Sequence, residues 1–388
     1  MRSFMKHVAI LGSTGSIGTN ALKVIRVSQR DFKVAALSTN CDIKTLFQQV
    51  KEFKPWCVSV RNIKAARAIK TKLPKSTKLF TGEDGLEEML EDGRIDKVLL
   101  AISGSAALAP LLKAIREGRQ IALANKEALV MAGPLIMSEA ARKKVEIIPI
   151  DSEQSAIWQC LDKEERVNLE RIYLTASGGP FRKALQKDLK AVCVSRVLKH
   201  PRWKMGKKIS VDSANLMNKG LELLEAMFLF GVSCDKIKII IHPEAIIHSM
   251  VEFIDGVILA QLSATDMRIP IQYALFYPQR KLNSLPRVNF YKLKELHFHS
   301  PDFKKFPCLK LAYRAARELG TAPAALNAAN EVCVEEFLKQ RLDFISIPKI
   351  IERVLDKHVN KRKPNLNDIL EADAWSRERA KMLISGLN

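Results

Sequence analysis

The sequence predicts an α/β protein in three parts: an N-terminal Rossmann-like domain with a parallel sheet, a central α+β domain and a C-terminal helical bundle. Short apolar runs alternate with amphipathic segments over the first 150 residues, a pattern typical of a parallel sheet covered by helices on both faces. A glycine-rich turn follows the first apolar run, and four helical patterns close the chain after a proline-rich stretch.

Six apolar runs in the N-terminal part are short enough to be strands of this sheet. They are Val8–Leu11, Val34–Leu37, Cys57–Val60, Val98–Ala101, Ile121–Leu123 and Val145–Ile148. Segments with apolar residues at helical spacing separate them: Gly18–Val27, Lys44–Phe53, Lys64–Leu73 and Ala107–Glu117. This order of strands and helices predicts a doubly wound sheet over residues 1–150.

The remaining chain changes character at residue 151. Residues 151–277 mix predicted strands, at Arg171–Leu174, Ile237–Ile241 and Val257–Leu262, with predicted helices at Asn215–Leu229 and Met267–Leu275. Residues 278–307 contain four prolines and little periodicity, which favours a linker. Residues 308–388 carry helical patterns at Leu309–Leu319, Pro323–Lys339, Ile347–Val359 and Asn367–Leu383, which predict a helical bundle.

Composition narrows the class of protein. No apolar run reaches the length of a membrane span, and no signal segment precedes the first glycine turn, so we expect a cytoplasmic protein without a membrane partner. The formal net charge is +21; the basic residues are spread over helix faces, which favours a surface that attracts anionic substrates over a nucleic-acid site. Seven cysteines without a C-x-x-C pair argue against a disulfide framework and a zinc site.

The glycine-rich turn indicates a dinucleotide site. Gly12, Gly15 and Gly18 follow a strand and open a helix, so the backbone can approach a pyrophosphate at the helix N-terminus. The spacing is G-x-x-G-x-x-G, and a plain strand-to-helix turn is the alternative. The second strand ends at Asn40 without the acid that usually holds an NAD ribose, which allows NADP.

Two groups of polar and charged residues are candidate metal and phosphate ligands. Asp151 and Glu153 are two residues apart, so in an extended segment both carboxylates face one side and could hold a hard cation. The alternative is an N-cap and a first-turn acid of a helix. Further along, Asn218, Lys219 and Glu222 have helical spacing and share a face, which suits a metal edge and a phosphate; an exposed polar face with a weak ion pair is the alternative.

Together these segments are similar to those of the 1-deoxy-D-xylulose 5-phosphate reductoisomerase family. The matching segments are LGSTGSIG from Leu11, LANKEALVMAG from Leu123, IDSEQSAIWQCL from Ile150, TASGGPF from Thr175, HPRWKMGKKISVDSANLMNKGLE from His200, IIHSMVEF from Ile246, DMRIPIQYAL from Asp266 and ALNAANE from Ala325. The resemblance spans essentially the whole chain, and its long motifs are highly specific.

The resemblance implies an NADPH-dependent oxidoreductase that also needs Mg²⁺ or Mn²⁺. Such an enzyme isomerises and reduces 1-deoxy-D-xylulose 5-phosphate, a small phosphorylated sugar, to 2-C-methyl-D-erythritol 4-phosphate in non-mevalonate isoprenoid biosynthesis. It also implies a homodimer. The alternatives are another Rossmann oxidoreductase of the semialdehyde or homoserine type, which would need no metal, and a non-catalytic NADP-binding sensor.

The resemblance also assigns residues to the expected sites, with residues 151–277 as the catalytic domain. The cofactor site comprises Thr14, Gly15, Ser16, Ile17, Asn40, Asn125, Glu127 and Gly206, and the metal ligands are Asp151, Glu153 and Glu222. The substrate site comprises Lys126, Ser152, Glu153, Ser177, His200, Ser213, Asn218, Lys219 and Glu222, among which Lys126 and Glu153 are catalytic. A flap carrying His200, Trp203 and Met205 is expected to close over the substrate.

One departure from the family concerns the cofactor. Cys41 and Asp42 stand where members of the family commonly carry a basic residue followed by asparagine. The chain therefore lacks the usual cation for the 2′-phosphate at this point, and we expect a weaker preference for NADPH over NADH than the family shows.

Overall fold

The computed structural model describes residues 5–161, 166–199 and 205–386, and the chain forms two compact units. Unit 1 comprises Met1–Ala128, Ile136–Ser155 and Asp266–Leu285, and unit 2 comprises Leu129–Leu135, Ala156–Thr265 and Pro286–Asn388. Within the described ranges, no helix is both long and apolar enough to cross a membrane.

Unit 1 contains a parallel sheet of seven strands. The strands are β1 Lys6–Leu11, β2 Phe32–Thr39, β3 Cys57–Val60, β4 Lys78–Thr81, β5 Lys97–Leu100, β6 Gln120–Leu123 and β7 Ile147–Pro149. Their order is β4-β3-β2-β1-β5-β6-β7, and every neighbouring pair is parallel. The order reverses between β1 and β5, and ligands of such sheets bind at this point, beyond the carboxyl ends of the strands. The predicted Rossmann-like parallel sheet is confirmed, with β4 added at one edge.

The helices that the sequence predicted lie close to their predicted segments, others were not predicted, and several helices begin at side-chain caps. Their bounds are α1 Ser16–Arg26, α2 Ile43–Phe53, α3 Ile63–Lys70, α4 Gly85–Leu90, α5 Leu108–Arg116, α6 Glu127–Lys143, α7 Ser152–Cys160, α8 Val194–Val197, α9 Lys207–Ala214, α10 Met217–Phe230, α11 Arg268–Phe276, α12 Pro307–Glu318, α13 Ala322–Leu338, α14 Ile347–Lys357 and α15 Leu366–Ser385. Asp42 and Asn62 cap α2 and α3 by accepting the backbone N–H three residues on, and each cap stabilises its helix by about 1 kcal/mol.

Unit 2 combines a mixed sheet with helices. The strands β8 Leu169–Ala176, β9 Ile237–Ile241, β10 Ile247–Phe253 and β11 Ile258–Leu262 are ordered β11-β10-β8-β9. Strands β8 and β9 are parallel, and β10 runs antiparallel to β8 and β11. Strand β10 was not among the strands predicted for this region.

The C-terminal helices α12 to α15 form the predicted bundle. Helix α13 is its centre: α12, α14 and α15 pack against it, and its alanines, among them Ala324, Ala325 and Ala328, are fully buried. Small side chains let the surrounding helices approach closely, so one apolar core holds this part of unit 2 together.

Candidate active site

The glycine turn after β1 has the geometry of a dinucleotide site. Gly12 has φ of +83°, and a Cβ there would lie 2.7 Å from the carbonyl oxygen of Ala101, at the end of β5. A Cβ on Gly18 would lie 2.4 Å from the carbonyl oxygen of Gly12. Both positions therefore require glycine. Gly15 and Ser16 are exposed at the N-terminus of α1, where backbone N–H groups favour a phosphate.

The same turn is fixed against the end of β2. Gly12 N donates to Ser38 Oγ at 2.9 Å, and the hydroxyls of Thr14 and Thr39 are 2.8 Å apart. Asn40 follows directly and is exposed. The turn and the end of β2 thus form one rigid surface beside the first helix, where the resemblance places the cofactor.

A cation that is distant in sequence lies beside the end of β2, where the 2′-phosphate of NADPH is expected. Asp42 is occupied as the cap of α2, accepting from Thr45 N at 3.1 Å. Arg61 follows β3, which neighbours β2 in the sheet, and its backbone N donates to the carbonyl oxygen of Thr39 at 3.1 Å. Its side chain is 43% exposed and pairs with Glu83. Arg61 was not predicted because it follows β3 and not β2 in the sequence; the parallel order of β2 and β3 is the signal that places it beside Thr39.

Asn125 ties the ends of β5 and β6 together. It is buried, and its Nδ2 donates to the carbonyl oxygens of Ile102 and Gly104 and to Glu127 Oε2, while its Oδ1 accepts from Ala128 N. The protein therefore uses both ends of this amide. The geometry indicates that Asn125 fixes the loops that follow these two strands, and contact of Asn125 or Glu127 with a cofactor stays a prediction.

Lys126 and Asp151 form a buried ion pair at the edge of the sheet. Lys126 follows β6 and Asp151 follows β7, and these adjacent strands are in register at Leu123 and Pro149. The side chains are 7% and 12% exposed. A pair this deep in the protein is screened little by water, so each charge strongly holds the other.

Glu153 lies beside Asp151, and oxygens of the two carboxylates are within 4.8 Å of each other. Ser152 Oγ donates to Glu153 Oε2 at 2.7 Å. The expected extended segment was wrong: α7 begins at Ser152, so Glu153 lies in its first turn and Asp151 directly precedes it. The helix start still brings the two carboxylates together, and two hard oxygen donors at this distance fit Mg²⁺ or Mn²⁺.

In unit 2, the turn after β8 packs against the end of α9. Gly178 and Gly179 have positive φ angles, and a Cβ on Gly179 would lie 2.6 Å from the carbonyl oxygen of Ser213. Gly179 N also faces Ser177 Oγ at 3.4 Å. The turn therefore brings Ser177 towards Ser213, as expected for two residues of one phosphate site.

Helix α10 presents the second acidic group. Asn218 Nδ2 and Lys219 Nζ both bond to Glu222, and the exposed fractions of Lys219 and Glu222 are 3% and 1%. The predicted helical spacing is confirmed, whereas the alternative of an exposed polar face is wrong. The three side chains form one buried charged cluster.

A network that we did not predict supports Ser213. The neighbouring Asp212 is buried, pairs with Lys208 at 2.8 Å and accepts from Asn330 Nδ2 at 2.9 Å. Asn330 belongs to the ALNAANE segment, which matched the family without an assigned role. The contact shows what the segment does in unit 2: it fixes the end of α9 to the centre of the helical bundle.

The flap is described only in part. His200 and Trp203 lie outside the described residues, and Met205 is half-buried. Gly206 caps the N-terminus of α9, with its carbonyl oxygen accepting from Ser210 N and Ser210 Oγ. A Cβ on Gly206 would meet no atom of the described residues within 4 Å, so their packing does not require glycine there.

Comparison with known families matches three models along the chain. The model "1-deoxy-D-xylulose 5-phosphate reductoisomerase" matches residues 8–133, and its C-terminal domain model matches residues 147–230. A further model, "DXP reductoisomerase C-terminal domain", matches residues 262–379. The matches leave only short segments of the chain uncovered.

Curated relatives are similar over nearly their full length. The 1-deoxy-D-xylulose 5-phosphate reductoisomerase of Caldanaerobacter subterraneus is 48% identical over 376 residues, which cover 97% of this chain and 98% of that protein. The enzyme of the same name from Endomicrobium trichonymphae is 46% identical, covering 98% of this chain and all of that protein.

Solved structures of the same kind share the fold. The Zymomonas mobilis reductoisomerase in complex with NADPH superposes with a TM-score of 0.91 at 38% identity, covering 98% of this chain and 99% of that chain. A reductoisomerase in complex with NADPH, fosmidomycin and magnesium gives a TM-score of 0.93 at 37% identity, covering 99% of each chain.

Proposed function

The chain belongs to the 1-deoxy-D-xylulose 5-phosphate reductoisomerase family, and from that premise we propose that it converts 1-deoxy-D-xylulose 5-phosphate into 2-C-methyl-D-erythritol 4-phosphate. The reaction uses NADPH and Mg²⁺ or Mn²⁺ and belongs to non-mevalonate isoprenoid biosynthesis. The observation that carries the proposal is the Asp151 and Glu153 pair beside the buried Lys126, at the sheet edge where such folds bind ligands.

The proposed metal ligands are Asp151, Glu153 and Glu222. The first two offer oxygens close to each other, and Glu222 is a buried carboxylate on α10. Carboxylate oxygens are the ligands that Mg²⁺ and Mn²⁺ prefer. When bound, the ion would act as a Lewis acid that orients the sugar ketone and an adjacent hydroxyl.

In the proposed substrate site, residues of unit 2 bind the phosphate of the sugar. Ser177 and Ser213 offer hydroxyls from the packed turn, and Asn218 and Lys219 offer an amide and an ammonium from α10. Ammonium and hydroxyl donors suit a phosphate dianion. His200 and the flap would complete this site and exclude water from it.

Lys126, Ser152 and Glu153 do the chemistry on the sugar in this proposal. The buried Lys126 ammonium stabilises negative charge that develops on a sugar oxygen, and its fixed position makes this effective. Ser152 Oγ is hydrogen-bonded to Glu153 Oε2, so the two side chains can pass a proton to or from the sugar hydroxyls. NADPH supplies the hydride when it is bound along the glycine turn.

NADPH oxidation with 1-deoxy-D-xylulose 5-phosphate and Mn²⁺ tests the proposal. We expect turnover that EDTA abolishes and that excess Mn²⁺ restores. Glu153→Gln should reduce kcat by about 10²-fold or more, and Glu170→Gln, an exposed acid on β8, is the matched control. Turnover that resists EDTA would indicate an oxidoreductase of the homoserine or semialdehyde type, and cofactor binding without turnover would indicate a sensor.

The family relation also supports a homodimer and a cytoplasmic location, and both remain predictions. Light scattering on the purified chain tests the first, with a mass of twice 43.6 kDa expected. Fluorescence microscopy of a tagged chain in its own cell tests the second.

A further inference from the structure

Unit 2 contains a cavity of about 320 Å³ that no predicted site residue lines. This volume is at the lower end of the roughly 300–1,000 Å³ found for small-molecule sites. Its buried lining is mainly apolar and comes from the short helix Gln186–Ala191, the start of α12 and the short helix Phe344–Ser346 before α14. These buried residues are Leu189, Phe306, Cys308, Leu311 and Phe344.

The exposed part of the lining is strongly basic. Five lysines line the cavity, against a single acid, Glu352, and they are Lys190, Lys304, Lys305, Lys310 and Lys349. Lys305 is held in place because its ammonium donates to the carbonyl oxygens of Arg182 and Ala184. Several positive charges around an apolar interior favour an anion that carries an apolar body.

A buried polar residue also belongs to the lining of this cavity. Asn215 lines it and is 4% exposed, and its Oδ1 accepts from Met217 N at 2.9 Å. Its Nδ2 has no hydrogen-bond partner among the described residues. A buried N–H without an acceptor costs about 1–3 kcal/mol, and an oxygen of a bound anion would remove that cost.

We propose that the cavity binds a small organic phosphate, with the phosphate between Asn215 and the lysines and a short hydrocarbon body against Phe306, Leu311 and Phe344. The site is separate from the proposed substrate site, although Asn215 lies three residues before Asn218. Asn215 lies two residues before α10, so a bound phosphate beside it would lie near the start of the helix that carries Lys219 and Glu222.

Titration calorimetry with n-hexyl phosphate on the full chain tests this inference. The probe carries a phosphate and a short apolar chain; inorganic phosphate, 1-hexanol and hexanoate are the comparison ligands. Asn215→Asp keeps the Oδ1 acceptor that holds Met217 N but removes the Nδ2 donor and adds a negative charge. Lys349→Glu reverses an exposed charge on the lining, and Lys357→Glu makes the same change on α14 outside the lining.

We expect hexyl phosphate to bind with submillimolar affinity and each comparison ligand to bind at least about tenfold more weakly. Asn215→Asp and Lys349→Glu should each weaken binding about tenfold or more, since both remove or oppose a charge-assisted contact, while Lys357→Glu should not. An unchanged affinity of the Lys349→Glu variant for hexyl phosphate would mean that the probe binds elsewhere, for example at the proposed substrate site. That result would overturn the inference. Equal affinity for hexanoate or inorganic phosphate would overturn the assigned ligand class, as would no binding.

Discussion

Two buried lysines neutralise two buried acids in this protein, and they are brought together by different means. In unit 1, Lys126 meets Asp151 because β6 and β7 are neighbours in register, although 24 residues separate them in the chain. In unit 2, Lys219 meets Glu222 within a single turn of α10. One pair depends on the whole sheet, and the other depends on one helix being buried.

The difference teaches which parts of a site a sequence can reveal. Helical spacing is local, so the pattern of Asn218, Lys219 and Glu222 predicts their contact directly. The meeting of Lys126 with Asp151 follows only once the order of the strands is known. Both ion pairs are nevertheless buried to a similar degree, so breaking either should lower the free energy of unfolding by a similar amount.

Replacing either buried lysine tests whether the two ion pairs contribute equally to stability, and it should have the largest effect of the changes considered. Lys126→Met or Lys219→Met leaves a buried carboxylate without its cation, which should lower the free energy of unfolding by about 3–5 kcal/mol. Urea unfolding of the chain without metal or substrate measures the loss. Lys361→Met is the control, because the Lys361–Asp368 pair is 54% exposed on the lysine side and should contribute under about 1 kcal/mol. A loss as small as that of the control at either buried lysine would break the comparison.

Two glycines expected at the cofactor sharpen the contrast between the units. Gly18→Ala forces a Cβ against backbone atoms of Gly12 and Ser13 in unit 1, so stability should fall by about 1–3 kcal/mol and NADPH affinity should fall with it. Gly206→Ala in unit 2 meets no atom of the described part of the chain and should cost under about 1 kcal/mol. Thermal unfolding and NADPH titration separate the two, and equal losses would contradict the packing argument.

Lys97 extends the comparison to a buried lysine that forms no ion pair with an acid among the described residues. Its Nζ donates to the carbonyl oxygens of Ala274 and Leu275 at 2.9 and 2.8 Å. Burial, with a smaller contribution from Lys6, lowers the pKa of Lys97 from 10.5 to about 7. The unfolded chain therefore binds one more proton between these values, and folding should be favoured increasingly as pH rises from about 7 towards 10.5.

The slope assigned to Lys97 is at most about 1.4 kcal/mol per pH unit. Lys97→Met should remove this slope, so the stability difference between the wild type and this variant should change by up to about 1.4 kcal/mol for each pH unit between neutral pH and about pH 9. Urea unfolding at a series of pH values measures the slope. Identical slopes in the two proteins would show that Lys97 does not lose its proton in the folded chain.

The smallest expected effect concerns the choice of cofactor at the end of β2. Arg61→Ala should lower the ratio of kcat/KM for NADPH to that for NADH by about tenfold or less, since Arg61 is exposed and already pairs with Glu83. Asp42→Asn keeps the cap of α2, removes a negative charge and should raise the ratio. A wild-type preference of several thousandfold would contradict the weak preference that Cys41 and Asp42 predict.

Much of the fold follows from the sequence because its elements have strong local patterns. The strands β1 to β3 and the bundle helices lie within a few residues of their predicted positions. Strand β4 was missed because Lys78–Thr81 is a short edge strand with only intermediate or exposed residues. Helix α6 was missed because Gly133 and Pro134 interrupt its pattern, and the backbone is indeed non-helical at Ala132.

The candidate site likewise contains features that the sequence predicts and features that it does not. The glycine turn and the α10 cluster were predictable because each is continuous in sequence. The roles of Arg61 and Asn330 were not, because each acts through a neighbour that only the folded chain supplies: Thr39 for Arg61 and Asp212 for Asn330. Segments that match a family without an assigned role, such as ALNAANE, are therefore good places to look for such supporting contacts.

The register of β6 and β7 has a consequence for how the length of this chain can change. Strand β7 is only three residues long, and Asp151 follows its last residue by two positions. Residues gained or lost in the connection between α6 and β7 would be absorbed before the strand begins and would leave the ion pair in place. A single residue inserted after Pro149 would instead move Asp151 and Glu153 out of reach of Lys126, so tolerance to insertion should change sharply within a few positions.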